Sequence, residues 1–104
     1  MEETNFDIEE KFLQADQLIG ENRLSEAANM LEDILSEAPD FGKAHNHMGG
    51  LFENKFKNYL RAEEHYRLAL KFSPDYTAAY YNYCYLLSSL RRYVVLGTLL
   101  VKAV

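Results

Sequence analysis

Four side chains in this sequence have the chemistry to hold a transition metal or to work as nucleophile and base: His45, His47, His65 and Cys84. His45 and His47 stand two apart, which on a helix turns them by about 200° at roughly 100° per residue. They cannot share an ion. Cys84 sits inside an apolar stripe where a small core residue is wanted, and a thiol buried in apolar surroundings is inert. The acidic pairs Glu9-Glu10, Glu32-Asp33 and Glu63-Glu64 read as solvated helix faces, not as the general acid and base of a pocket wall. The sequence holds neither a glycine-rich phosphate loop nor a Ser-His-Asp order. The expectation is a protein that is not an enzyme and uses no metal and no cofactor.

The elements that carry these residues must fit in 104 residues, enough for a single domain spanning 1–104 with no room for a separate catalytic module. A content of 48% hydrophobic and 26% charged residues is that of a folded globular chain. The net charge of -5 argues against nucleic acid, which calls for a basic face to displace counterions from phosphates. One cysteine excludes an internal disulfide framework and a multi-cysteine zinc site. The start, MEETNFDIEE, lacks the basic stretch and apolar run of a secretory signal, so a reducing, cytoplasmic setting is expected, with no membrane partner. Charge is uneven. Residues 1–52 hold 12 acidic against 3 basic side chains and residues 53–104 hold 4 against 8, leaving -9 and +4. That asymmetry suits steering of partners or head-to-tail attraction between copies, the alternative being a drift of surface charge that has no role.

Pro39 and Pro74 are the only prolines, in SEAPDF and KFSPDY, 35 residues apart. Aligning on them pairs Leu31 with Tyr66, Ile34-Leu35 with Ala69-Leu70, and Asp40-Phe41 with Asp75-Tyr76. Within each unit the apolar residues recur at three- and four-residue steps, as in Ala27, Leu31, Ile34, Leu35 and in Ala62, Tyr66, Ala69, Leu70. Each such helix follows another: Phe12, Ala15, Leu18, Ile19 ended by Gly20 to Asn22; Ala44, Met48, Leu51, Phe52 ended near Asn54; and Ala79, Tyr80, Tyr83, Cys84, Leu87 ended near Ser88-Ser89. Glycine or asparagine there fits a left-handed cap, and the residue before a proline leaves the helical region. Six helices in three hairpins follow, at about 8–41, 42–76 and 77–104. No segment alternates with period two, so no sheet is expected.

The pattern resembles the tetratricopeptide repeat, a helix-turn-helix unit of about 34 residues. In the second unit His45 stands where tryptophan is usual, Met48-Gly49 reads as the Leu-Gly pair, Phe52 takes the tyrosine place, and Asn58-Tyr59 opens the second helix before Ala62, Tyr66, Ala69 and Pro74. One residue inserted within Asn54 to Lys57 explains the longer period. The first unit departs more, with Gln14-Ala15, Leu18, Leu31 and Ile34 at motif positions, but keeps Ala27 and Pro39. The third has Tyr80, Tyr83-Cys84 and Leu87 and then loses the pattern. The resemblance covers about Ile8 to Val104 and implies an all-α, right-handed superhelical stack of three antiparallel helical hairpins, an α-solenoid that binds other proteins. Small residues (Ala15, Gly49, Cys84, Ala27, Ala62) let helices approach, and large ones (Leu31, Tyr66, Phe52) fill the space between hairpins.

The resemblance also implies a concave surface. Carried over, it comprises Phe12, Asp16 and Ile19; Lys43, Asn46, Gly50 and Glu53; and Ala78, Tyr81, Asn82, Tyr85 and Ser88. Family members that grip a C-terminal carboxylate use Lys, Asn and Arg in the clamp positions, where this chain has Phe12, Asp16, His47, Ala78 and Asn82. A carboxylate clamp is not expected. Tyr81 and Tyr85, one turn apart, favour an apolar or aromatic ligand, with a protein, peptide or partner helix as the occupant.

The last segment is different. Val94, Val95, Leu96, Leu99, Leu100, Val101 and Val104 cover almost every direction around a helix, which must then be buried on all sides. About 12 residues are too few to cross a bilayer that requires roughly 20. With Tyr93 they form an expected self-association surface, natural or redesigned, against another copy of the chain. The alternatives are a longer array whose next hairpin covers this surface, and a partner- or membrane-bound amphiphile. The expected function is therefore a non-enzymatic interaction scaffold forming a homo-oligomer. The rival is a monomeric adaptor with a peptide in the concave groove.

Overall fold

Each apolar stripe becomes a helix face turned against the stripe of the next segment. The computed structural model describes residues 3–90, with side-chain surroundings from Asp7 onward. These residues form α1 (Glu3–Gly20), α2 (Leu24–Glu37), α3 (Gly42–Asn54), α4 (Tyr59–Phe72) and α5 (Thr77–Ser89), and no strand occurs among them. Each helix packs on the next, and α3 also touches α5. None of these helices is long and apolar enough to cross a membrane. The expected sixth helix, with Tyr93, Val94, Val95, Leu96, Leu99, Leu100, Val101 and Val104, lies outside the described residues.

The spacing of the prolines is a spacing of the backbone. Leu24 recurs as Tyr59, Glu37 as Phe72, Gly42 as Thr77 and Asn54 as Ser89, so α4 and α5 repeat α2 and α3 boundary for boundary. The turns repeat too. Ala38 (φ -134°, ψ 79°) and Ser73 (φ -137°, ψ 73°) donate their N–H groups to the carbonyls of Ile34 and Ala69. The N–H groups of Phe41 and Tyr76 then bond to the Ala38 and Ser73 carbonyls at 3.1 and 3.0 Å. A proline at the second position of each turn suits its fixed φ and cannot continue the helix.

The other turns need a left-handed residue. Asn22 (φ 61°) supplies it between α1 and α2, and Lys57 (φ 56°), its equivalent one repeat later, supplies it between α3 and α4. Asn22 lies within the Gly20 to Asn22 stretch where such a cap is expected, whereas the cap expected near Asn54 is corrected: the left-handed position comes three residues later. In the second turn it is filled by a lysine, where asparagine or glycine is the ordinary choice.

Two apolar clusters form the interior. Ile8, Ala15, Ala27, Ala28, Leu31, Ile34, Ala44, Met48 and Leu51 make one across α1 to α3. Ala62, Tyr66, Tyr83, Leu86 and Leu87 make the other, and Phe52 packs against both. Gly49 permits their closest approach: a Cβ there would lie 2.6 Å from Cδ1 and Cε1 of Tyr66. Cys84 is half-buried rather than sunk in the core, and its surroundings push the thiol pKa up, as desolvation of a thiolate does.

Candidate functional site

An open cleft of about 380 Å³ lies where the end of α1, the start of α2, α3 and α5 meet. Ile19, Leu24 and Leu51 give it an apolar lining, and Asn22, Asn46, Asn54 and Asn82 bring four carboxamides to it. Gly50 and His47 complete the lining. Each part follows from local folding. Asn22 is there because the left-handed turn brings it there, while Asn46, Gly50 and Asn54 fall at four-residue steps on one face of α3. Asn82 arrives from α5, the helix that repeats α3.

The carboxamides are held and still have bonding capacity. Asn82 Nδ2 donates to Asn46 Oδ1 at 3.0 Å, a bond that fixes both side chains across the α3–α5 contact. The second hydrogen-bonding group of each amide, Asn46 Nδ2 and Asn82 Oδ1, has no partner among the described residues. Asn54 Nδ2 donates to the Gly50 carbonyl at 2.9 Å, which leaves its Oδ1 to accept. Such a wall offers donors and acceptors without net charge, matching the alternating N–H and C=O groups of a peptide backbone. No lysine or arginine lines the cleft, so it lacks the cations that would hold a carboxylate.

Of the expected concave residues, Asn46, Gly50, Asn82 and Ile19 come together in this cleft. Phe12 and Asp16 stand behind it and orient His47. The Phe12 ring packs edge-on against Phe41 at 5.3 Å and lies 4.8 Å from the His47 ring, whose Nε2–H donates to Asp16 Oδ1 at 3.0 Å. Tyr81 and Tyr85 flank Asn82 on α5 but are not among the cleft lining, and they stand 72% and 70% exposed. Lys43, Ala78 and Ser88 are exposed. Glu53 is a correction: it is buried, and its Oε1 accepts the Tyr66 hydroxyl proton at 2.7 Å.

A second polar cluster lies buried between α3, α4 and α5. Glu63, expected on a solvated face, is 4% exposed, and its Oε2 accepts from Tyr83 Oη at 2.8 Å and from Arg67 Nη2 at 3.1 Å. Arg67 Nε donates in turn to Tyr83 Oη at 2.9 Å, closing a ring of three bonds. A carboxylate can be buried here because its charge is fully engaged. Glu64, next in sequence, does stay exposed. On the neighbouring Tyr66–Glu53 bond, burial and then the Glu53 carboxylate hold the Tyr66 hydroxyl well above the usual phenol range.

His45 and His65 also pair in this interior. His45 Nε2 lies 2.7 Å from the Pro39 carbonyl and so carries a proton, which leaves its Nδ1 to accept from His65 Nδ1–H at 3.1 Å. The ring of His65 stacks on Phe52 at 5.5 Å, and that of His45 on Phe72 at 5.8 Å. Burial, the neighbouring His45 and then Arg61 lower the His65 pKa to about 4. His45 and His47 thus serve different neighbours. Among the described residues, no group of three or more histidine, cysteine, aspartate or glutamate side chains is placed to hold a metal ion. The His45–His65 pair was not expected from the sequence, where spacing invites only the comparison of His45 with His47. The signal available was the place that the resemblance gives His45, where a large core ring is expected. No family model matches the chain, and no curated protein matches it either.

Proposed function

We propose that this chain is a non-enzymatic protein–protein interaction scaffold that captures an extended peptide segment of a partner in the asparagine-lined cleft. The observation that carries the reading is the set of four carboxamides converging from a turn and two helices onto one cleft with an apolar lining and no cation. Carboxamides select main-chain amides over charged ends, and Ile19, Leu24 and Leu51 give alternate side chains an apolar place to rest. Tyr81 and Tyr85 flank Asn82 as large, exposed anchors of the kind that enrich binding surfaces.

The architecture proposed with it is a right-handed superhelical stack of tetratricopeptide-like hairpins. Its supports are the 35-residue recurrence of helix boundaries and the contact of α3 with α5. Panning a random peptide library against the chain tests the binding reading. Enriched peptides are expected to bind wild type with micromolar affinity and to lose at least about tenfold on Asn54→Ala or Asn82→Ala, the scale of one or two lost hydrogen bonds. Peptides that ignore both substitutions would remove the cleft from the proposal.

A second reading rests on the sequence of residues 93–104. Tyr93, Val94, Val95, Leu96, Leu99, Leu100, Val101 and Val104 leave no polar face, and burial against a second copy would make the scaffold a homo-oligomer. Sedimentation equilibrium decides it. A mass above that of one chain, reduced to one chain by Val95→Glu with Leu99→Glu, supports self-association, and a monomer at tens of micromolar contradicts it.

A further inference from the structure

The turn between α3 and α4 brings exposed apolar side chains and unpaired cations together. Phe56, Tyr59 and Leu60 are 45%, 40% and 75% exposed, together on the order of 300 Å² of side chain, the scale of the largest apolar patch on an ordinary monomer, which is often a functional one. Lys55, Lys57 and Arg61 are interleaved with them. Arg61 pairs with Glu64 at 3.3 Å, whereas Lys55 and Lys57 make no ion pair among the described residues. Lys55 Nζ instead lies 5.7 Å from the centre of the Phe56 ring.

The repeat supplies an internal control. The turn between α1 and α2 is one residue shorter but enters its second helix in the same way, with left-handed Asn22 at the place of Lys57 two residues before the helix. There Gly20 stands for Lys55, Glu21 for Phe56, Leu24 for Tyr59, Ser25 for Leu60 and Glu26 for Arg61. Its one cation, Arg23, is bound to Glu21 at 3.2 Å and to Glu26 at 2.7 Å. At the places of Glu21, Asn22 and Ser25 the second turn has Phe56, Lys57 and Leu60. Phe56 packs its ring 5.5 Å from that of Phe52, whereas Leu60 is 75% exposed, and packing calls for neither that leucine nor a left-handed lysine.

We propose that the α3–α4 turn is a docking loop for an anionic lipid surface. Along the turn, exposed apolar side chains alternate with unpaired ammonium groups, which suits insertion among anionic headgroups. Phe56, Tyr59 and Leu60 enter the interfacial layer while the ammonium groups of Lys55 and Lys57 meet lipid phosphates and carboxylates. Leu60, the most exposed of the three, has no ring to stack on a base, which sets a lipid surface ahead of single-stranded nucleic acid. With two free cations the docking is weak and reversible. The acidic half of the chain is repelled by the same surface, which orients the molecule tip first. The sequence-based expectation of no membrane partner rested on the missing secretory signal and on the length needed to span a bilayer, neither of which docking requires.

Co-sedimentation of the full chain with vesicles tests this. Binding to phosphatidylcholine vesicles containing phosphatidylserine is expected to be at least about tenfold tighter than to phosphatidylcholine alone and to weaken with salt. Lys55→Glu with Lys57→Glu should abolish that preference, and Leu60→Ser should weaken binding while keeping it. Circular dichroism should show all variants folded, since every altered side chain is exposed. No binding, equal binding to both vesicles, or tighter binding to an oligonucleotide than to vesicles would each overturn the proposal. So would vesicle binding that survives the double lysine substitution, since it would place the contact elsewhere on the chain.

Discussion

The α1–α2 and α3–α4 hairpins both turn through a left-handed residue two positions before their second helix but are joined by different physics. Between α1 and α2 the buried residues are Ile8, Ala15, Ala27, Ala28, Leu31 and Ile34, and the polar links are on the surface, with Lys11 Nζ bound to Asp33 at 2.9 Å and to Glu37 at 3.0 Å. Between α3 and α4 the interior itself is polar, with Tyr66 on Glu53 and His65 on His45, and Glu63 there reaches on to Tyr83 of α5. Apolar burial degrades in proportion to the area removed. A buried polar pair fails abruptly, because taking away one partner strands the other.

This contrast can be broken or sharpened by mutation. The largest effect is expected from Leu31→Ala, which empties a fully buried site in the aliphatic hairpin and should lower stability by about 3 kcal/mol in denaturant titration. Next comes pH. In the unfolded chain His65 takes up a proton below its ordinary pKa of 6.5, whereas in the fold it stays neutral down to about 4. The unfolded state thus binds more protons in that window, and stability falls as pH drops through it. The loss should be about 1 to 2 kcal/mol from pH 7 to pH 5, allowing for partial solvation of the ring. His65→Gln should flatten that slope.

Smaller effects separate two adjacent glycines. Gly49→Ala drives a methyl group into the Tyr66 ring and should destabilise by about 1 kcal/mol even after the gain in helix propensity, while Gly50→Ala, whose Cβ meets nothing nearer than the Tyr66 hydroxyl at 3.9 Å, should stabilise by roughly 0.5 kcal/mol. Thermal unfolding of the pair shows both signs. The smallest effect belongs to Lys11→Met. The exposed ion pairs raise the Lys11 pKa through hydrogen bonds to Asp33 and Glu37, yet water screens them, and the unfolding midpoint should not move.

Much of the helical framework could be read from the residues. The two prolines and the three- and four-residue steps predict the helices and their repeat, because turn chemistry and amphipathic spacing are local properties. What depended on pairing between helices was not legible. Glu53 and Glu63 look like surface carboxylates until Tyr66 and Tyr83 are seen to reach them across 13 and 20 residues. The left-handed Lys57 was hidden because lysine carries no signal for that conformation. The cleft was half visible. Asn46, Gly50 and Asn82 were expected on the concave surface that the resemblance implies, but Asn22 and Asn54 could be read only as residues that end helices.

The central claim is that the asparagine-lined cleft is where a partner peptide binds. The most direct measurement is the titration of a selected peptide into isotope-labelled chain, followed by the backbone amide signals. Shifts concentrated at Ile19, Asn22, Gly50, Asn54 and Asn82, and lost with Asn54→Ala and Asn82→Ala, are the predicted result. Shifts that leave these positions unmoved while the peptide saturates the chain would contradict it.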